Sequence, residues 1–229
     1  MPDPTSVIIP ALNEERSIGR VIEEIPRRFC HEIIVIDNGS QDGTARVAAA
    51  AGAQVVQEPI RGYGRACLAG LRHVRADTRV VAFLDGDHSD YPEQLYELTG
   101  PIYEDRFDFV MGSRILRVEN LAFLRGHQLW GNRLTLLLLR LFYGCRFSDL
   151  GPFRAIRRDS LEKLSMRDMT WGWNVEMQIK AIRAGLRIHE VPVRYRERIG
   201  DSKISGTLGG SMAAGFRILY TLLRHLQPN

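Results

Sequence analysis

Apolar runs alternate with amphipathic segments through the first half of the chain. Runs rich in β-branched residues predict strands at 6–11, 32–37, 53–59, 79–85 and 107–114. Apolar residues recur at helical spacing in 17–29, and further helices are predicted after Asp42, across 64–74 and from Pro92. Strands that alternate with helices and are apolar on both faces predict an α/β fold with a mostly parallel twisted sheet and flanking helices.

The second half of the chain has a different pattern. Residues 117–144 contain the run LTLLLLRLFYG, which fits either a buried core helix or a helix that lies at a membrane interface. Strands are predicted within 149–158 and across 186–198, and helices at 175–184 and 207–226. The last helix is amphipathic and could pack on the domain, bind lipid or pair with a second copy as a homo-oligomer. With no repeat or linker, we expect a single domain over 1–229.

Composition narrows the class of protein. The 229 residues are 45% hydrophobic and 25% charged, which is typical of a globular protein, and the net charge of +4 suits phosphate-bearing partners or an anionic membrane surface. No stretch reaches the ~20 apolar residues that span a bilayer, and the N-terminus lacks secretory features. Three widely spaced cysteines without a CxxC motif predict free thiols. We expect a cytoplasmic protein, in peripheral membrane contact at most, with no nucleic-acid partner.

Three aspartates, Asp85, Asp87 and Asp90, follow the fourth predicted strand in VVAFLDGDHSD. Ligands bind beyond the carboxyl ends of strands in parallel α/β sheets, and polar residues also follow the first two strands: Asn13, Glu14 and Asp37. Carboxylates this close repel one another unless a divalent cation neutralises them, and oxygen ligands suit Mg²⁺ or Mn²⁺. The alternative is a polar surface turn, because Asp, Gly and Ser favour turns.

Seven motifs carry a family resemblance. VIIPALNEE, IIVIDNGSQDGT, RGYGRACLAGL, FLDGD, GSR, DLGPFRAI and RIGDSK occur in this order and cover nearly the whole chain. Together they resemble family 2 glycosyltransferases of the GT-A fold, and within these the dolichyl- or polyprenyl-phosphate mannose and glucose synthase-like group. The resemblance implies a nucleotide-sugar-binding half at about 1–114 and an acceptor-side half at about 115–229.

The resemblance also implies roles for individual residues. The expected contacts to the nucleotide sugar are Pro10, Asn13, Glu14, Asp37, Arg61, Gly64, Asp85, Arg114, Arg198, Ser202 and Lys203. The metal, Mg²⁺ or Mn²⁺, would be held by Asp85 and Asp87. The acceptor side would comprise Asp149, Gly151 and Arg154. Apart from the resemblance, tryptophans that include Trp171 and Trp173 could line a sugar or lipid pocket, with Trp173 assigned to the acceptor side, and burial is the expectation for at least one of them. Ser89 stands where this group often has Gln, so Asp90 or water would complete the metal coordination.

The chemistry of transfer suggests catalytic residues. Negative charge builds on the leaving diphosphate, so Asp87 with its cation and Arg114 are candidates. The resemblance adds Asp149 of the acceptor-side segment as a further candidate. A phosphate acceptor has a second pKa near ~6 and is already a nucleophile at neutral pH, whereas an alcohol needs a base. Glu176 is the candidate base, and the alternative is a solvated or core-bordering helix residue.

We therefore expect an inverting hexosyltransferase that uses UDP-glucose, or second GDP-mannose, and a polyprenyl phosphate at the cytoplasmic membrane face. The nearest alternative keeps the fold and donor but takes a soluble sugar, alcohol or phosphorylated metabolite. A sugar-nucleotide pyrophosphorylase would need a Gly-rich loop where this chain has PALNEE. A non-catalytic nucleotide-sugar-binding subunit is the remaining alternative.

Overall fold

The computed structural model describes residues 4–123, 126–145, 147–200, 220–222 and 224–225. The strands are Thr5–Ala11 (β1), Glu32–Asp37 (β2), Gln54–Gln57 (β3), Val80–Phe83 (β4), Phe109–Ser113 (β5), Arg154–Arg157 (β6) and Ile188–Pro192 (β7). The helices are Ile18–Glu24 (α1), Thr44–Ala50 (α2), Tyr63–Leu71 (α3), Leu95–Tyr103 (α4), Gly126–Tyr143 (α5), Arg158–Leu164 (α6) and Trp173–Arg183 (α7).

The strands form one sheet in the order β3-β2-β1-β4-β6-β5-β7. Four neighbouring pairs are parallel, namely β1 with β2, β1 with β4, β2 with β3 and β5 with β7. β6 runs antiparallel to both β4 and β5. The predicted α/β class with a mostly parallel sheet is therefore confirmed. The carboxyl ends of β1, β2 and β4 meet at one edge.

Helices cover both faces of the sheet, as the two-sided apolar strands predict. Alternate residues of β1 point to opposite layers: Val7 and Ile9 pack with α1, α2 and α4, whereas Ile8 packs with α3, α6 and α7. A smaller cluster of Leu139, Val175, Ile179 and Leu222 joins α5 to α7 and to residues 220–222. Burial of these apolar side chains, at roughly 1.5–3 kcal/mol each, is the main force that holds the layers together.

Several predicted element boundaries need correction. The helix expected over 17–29 stops at Glu24, because Pro26 cannot continue the hydrogen-bond ladder, and a short 3-10 turn follows at Arg27–Phe29. The strand expected over 186–198 ends at Pro192. Of the helix expected over 207–226, only 220–222 and 224–225 fall within the described residues. Among the helices that the structure describes, none combines the length and apolarity needed to cross a membrane.

Candidate active site

A cavity of about 490 Å³ opens at the carboxyl edge of β1, β2 and β4. Six residues predicted from the sequence line it: Pro10, Glu14, Arg61, Asp85, Asp87 and Arg198. The sheet topology brings these residues together from four separate segments of the chain. Of the polar residues expected to converge after the strands, Glu14, Asp85 and Asp87 line this cavity, whereas Asn13 and Asp37 are not among its lining residues.

Asp85 and Asp87 follow β4 and enter the cavity together. The hydroxyl of Tyr63 donates to Oδ1 of Asp85 at 3.3 Å. Burial, and then the neighbouring charge of Asp87, raises the pKa of Asp85 to about 7. The two carboxylates are therefore in electrostatic conflict, which a cation between them would relieve.

Asp87 is fixed by its own loop and by a distant arginine. Its Oδ1 accepts bonds from the backbone N–H and the hydroxyl of Ser89, at 2.9 and 2.6 Å. Its Oδ2 forms an ion pair with Arg198. Ser89, which stands where glutamine was expected, thus orients Asp87 through its side chain.

The donor set fits a hard divalent cation that is shared with a substrate. Within the described residues, no group of three or more His, Cys, Asp or Glu side chains is placed to hold a metal. The suggestion that Asp90 completes the coordination is therefore not supported, although both oxygens of its carboxylate are buried without a hydrogen-bond partner. Burial and then the charge of Asp85 raise the pKa of Asp90 well above its usual range. Two carboxylates with water and phosphate oxygens are the ligand type that Mg²⁺ prefers.

Residues 195–199, which follow β7, lie along the Asp85–Asp90 loop and form a strap across it. Tyr195 forms a bridge with Asp90, and the N–H groups of Arg196 and Ile199 donate to the carbonyls of Ser89 and Asp87, each at 2.9 Å. This pairing carries Arg198 to Asp87, although the two are 111 residues apart. It explains why the RIGDSK motif belongs with the acidic loop. Ser202 and Lys203 of that motif lie outside the described residues.

Arg114 and Asp149 form one buried unit. The guanidinium donates in a bidentate manner, Nε to Oδ2 at 2.7 Å and Nη2 to Oδ1 at 2.9 Å. Burial opposes ionisation of Asp149, but Arg114 more than offsets it, so the pKa of Asp149 is lowered. Asn132 of α5 also donates to Asp149 Oδ1 at 3.1 Å. The predicted catalytic residues Arg114 and Asp149 are thus paired with each other and do not line the cavity described above.

Three predicted acceptor-side residues are buried or closely packed and do not line the cavity. Arg154 is fully buried in β6 and donates to the carbonyls of Gly151 and Asn174, and burial lowers its pKa to about 10. A Cβ atom at Gly151 would lie 2.7 Å from the carbonyl oxygen of Gly112, so this position has room only for glycine. Trp173 is completely buried with its ring centroid 6.0 Å from that of Phe83. Trp173 therefore does not line the cavity and follows the alternative, burial, because the start of α7 packs it against the sheet.

Glu176 is not in the cavity and is placed as a structural residue. Its side chain is buried, and it accepts the backbone N–H groups of Arg167 and Asp168, the latter at 2.7 Å. Lys180, one turn later on α7, lies 2.7 Å from its Oε1. Because these donors occupy the carboxylate, the candidate base is corrected to the alternative, a helix residue that anchors the 167–172 loop.

Loop contacts determine where the remaining predicted residues lie. The Asp37 carboxylate accepts the N–H of Ser40 at 2.9 Å, and the Asn13 side-chain oxygen accepts that of Gln41 at 2.8 Å. Both therefore shape the turn after β2. At Gly64, a Cβ atom would overlap the carbonyl oxygen of Asp168, so glycine permits α3 to approach the 167–172 loop.

Sequence reasoning did not single out two residues of this site, Asn38 and Tyr63. Asn38 bridges the loop before α3: its amide donates to the carbonyls of Glu58 and Ile60, and its oxygen accepts the N–H of Gly62. Tyr63 and Trp171 line the cavity beside it. Asn38 follows β2 directly, so its position at a strand end was a usable signal. Trp171 was already a candidate for lining a pocket, and tertiary contacts of its loop place it at this cavity.

A doubly covered α/β sheet with a carboxylate pair and an arginine in a cavity at its carboxyl edge is the arrangement in which α/β proteins place their ligand sites. The sequence profile of "Glycosyl transferase family 2" matches residues 6–165. The chain is 38% identical over 221 residues to an uncharacterised glycosyltransferase of Mycobacterium tuberculosis, with 93% of this chain and 94% of that one covered. It is 32% identical to a dolichyl-phosphate hexose transferase of Haloferax volcanii, with 91% and 90% covered.

Solved structures of glycosyltransferases are similar to this chain in fold and sequence. Glucosyl-3-phosphoglycerate synthase of Mycobacterium tuberculosis, in complex with Mn²⁺, UDP and glucosyl-3-phosphoglycerate, matches with a TM-score of 0.78 and 28% identity, covering 98% of this chain and 81% of that one. The chain belongs to glycosyl transferase family 2, has the GT-A fold and is a glycosyltransferase. The resemblance to the polyprenyl-phosphate sugar synthase-like group is confirmed by the relative from Haloferax volcanii.

Proposed function

We propose that the protein transfers a hexose from a nucleotide diphosphate sugar to a polyprenyl phosphate, with inversion at the anomeric carbon. UDP-glucose is the favoured donor and GDP-mannose the second. The observation that carries the proposal is the grouping of Asp85, Asp87 and Arg198 at one cavity. Carboxylates and a guanidinium side by side suit a diphosphate that arrives with a divalent cation.

The donor would lie across this cavity with its diphosphate at the acidic loop. Asp85 and Asp87 would hold Mg²⁺ or Mn²⁺, which when bound stabilises the negative charge of the leaving diphosphate. Arg198 adds a fixed positive charge at the same point, since the strap holds its backbone. Pro10, Arg61 and Trp171 would enclose the nucleoside side of the donor.

The carboxylates of the cavity support the choice of a phosphate acceptor. Among its described lining residues these are Glu14, Asp85 and Asp87, and Glu14 already accepts the hydroxyl of Ser17 at 2.9 Å. With Glu176 anchoring a loop, this set offers no ready base for an alcohol. A phosphate monoester needs none, because its second pKa lies near ~6. This favours a phosphate nucleophile, and a polyprenyl phosphate would bring the enzyme to the cytoplasmic membrane face.

A soluble acceptor is the second candidate. It is favoured by the structural similarity to glucosyl-3-phosphoglycerate synthase, which has been crystallised with phosphoglyceric acid. A small phosphorylated acceptor could use the same positive groups. The two candidates therefore differ in the acceptor and share the donor site.

A transfer assay separates the candidates. Labelled UDP-glucose or GDP-mannose is incubated with Mn²⁺ and either undecaprenyl phosphate in detergent or phosphoglyceric acid, and products are separated by solvent extraction. We expect label in the lipid product, loss of transfer with EDTA, and loss with Asp87→Asn. Label only in a water-soluble product would establish the second candidate, and no metal-dependent donor use would refute the proposal.

A further inference from the structure

Helix α5 presents an apolar stripe to solvent. Leu134, Leu137 and Leu141 are spaced by three and four residues and are 50%, 53% and 68% exposed. The other side of the helix buries Thr135 and Leu139, and Leu139 packs in a cluster with α7. The exposed leucines are therefore additional to the core, and a large apolar stripe on a protein surface marks an interaction site.

The charges beside this α5 stripe identify the partner. Arg133 and Arg140 are both exposed on the same helix, and Gly126–Tyr143 contains no acidic residue. Leucines flanked by cations, without carboxylates, are typical of a helix that lies in the headgroup region of an anionic bilayer. The helix is too polar to cross a membrane, so it would lie in the plane of the surface.

The inner side of α5 contacts the buried Arg114–Asp149 pair. Asn132 donates to Asp149 at 3.1 Å and accepts the N–H of Leu150, also at 3.1 Å, and Asp149 in turn holds Arg114. The outer stripe is therefore separated from the Arg114–Asp149 pair by about one helix diameter, roughly 10 Å. A bilayer against the stripe would place lipid headgroups close to the level of these residues.

We propose that the α5 stripe, with Arg133 and Arg140, is a docking surface for an anionic lipid bilayer. The biological reason for docking rests on the proposed function, because a polyprenyl phosphate reaches the enzyme only at a membrane. The surface itself is defined by exposure and charge, so the two ideas can be tested separately.

Vesicle co-sedimentation tests the surface. The full chain is mixed with phosphatidylcholine vesicles with and without phosphatidylglycerol, at low and high salt. We expect the wild type to bind the anionic vesicles. The triple variant Leu134→Ser, Leu137→Ser, Leu141→Ser should bind them with an affinity lower by about tenfold or more, because it lacks the exposed leucine area that the bilayer would bury. Arg133→Gln with Arg140→Gln should remove the preference for anionic vesicles. Both variants should keep the wild-type thermal shift with UDP and Mn²⁺.

The matched control is Tyr96→Ser, which removes a side chain that is 49% exposed on α4, on the opposite face of the sheet. It should bind vesicles like the wild type. Equal loss in this control, or no vesicle binding by the wild type, would overturn the proposal. So would a wild-type dimer that the triple variant converts to a monomer, because the stripe would then cover a second copy. Vesicle binding without transfer to undecaprenyl phosphate would refute the acceptor and leave the docking surface standing.

Discussion

Replacement of Glu176 by Gln distinguishes a structural role from a catalytic one. The carboxylate accepts the N–H groups of Arg167 and Asp168 and pairs with Lys180 at 2.7 Å, all at a side chain that is 2% exposed. Hydrogen bonds to charged groups contribute about 1.5–3 kcal/mol each, and glutamine retains one acceptor oxygen. We expect Glu176→Gln to lower the free energy of unfolding by about 3 kcal/mol, or roughly 6–12 °C in Tm for a domain of this size.

The assay measures Tm and single-turnover transfer on the folded protein at a temperature well below both transitions. Glu176 does not line the cavity, although the loop that it anchors does so through Trp171. At saturating donor, the rate for folded Glu176→Gln should therefore stay within about threefold of wild type. A general base would contribute about 10²–10⁴-fold. Glu162→Gln on α6 is the control, since its carboxylate is 65% exposed beside Arg158 and should leave Tm unchanged. A hundredfold slower reaction with an unchanged Tm would refute the structural assignment.

Three further outcomes follow from the site. Asp87→Asn should slow transfer by about a hundredfold or more at saturating Mn²⁺ with a similar Tm, since a metal ligand is lost at a loop; normal turnover would contradict this. The pKa of Asp85 is raised to about 7 in the folded protein, against ~3.9 when unfolded, so the stability from its bound proton is complete below about pH 4 and is lost as pH rises through 7. In urea titrations Asp85→Asn should therefore gain stability relative to wild type over this range, and a constant difference would exclude the shift. Gly64→Ala should weaken UDP binding, because its Cβ would overlap the backbone of Asp168. Its control is Gly131→Ala, which has open space around its Cβ and should raise the free energy of unfolding by up to about 1 kcal/mol. Equal effects of the two variants on UDP binding would show that the close approach at Gly64 is dispensable.

The fold was predictable where local pattern and packing agree. β2 begins and ends where its apolar run does, Glu32–Asp37, because both of its faces are buried. α6 was missed, since Arg158–Leu164 follows a strand without a turn and its periodicity is short. The alternating residues after β7 predict a continued strand, but in the structure this strap pairs with the acidic loop and not with the sheet.

The site was predictable where it depends on strand ends and not where it depends on tertiary placement. Asp85 and Asp87 terminate a buried strand, so their position at the sheet edge follows from topology. Glu176 lies on a helix of mixed polar and apolar residues, and only the fold of the 167–172 loop shows its carboxylate to be occupied. Trp173 and Trp171 are two residues apart, and sequence alone gave no reason to bury one and expose the other.

The central claim is that Asp85 and Asp87 bind a divalent cation together with the diphosphate of the donor. Anomalous diffraction from crystals grown with UDP and Mn²⁺ tests it most directly. We predict one manganese peak within coordination distance of both carboxylates and of the UDP diphosphate. A manganese peak elsewhere, or UDP bound in this cavity without manganese, would contradict the account.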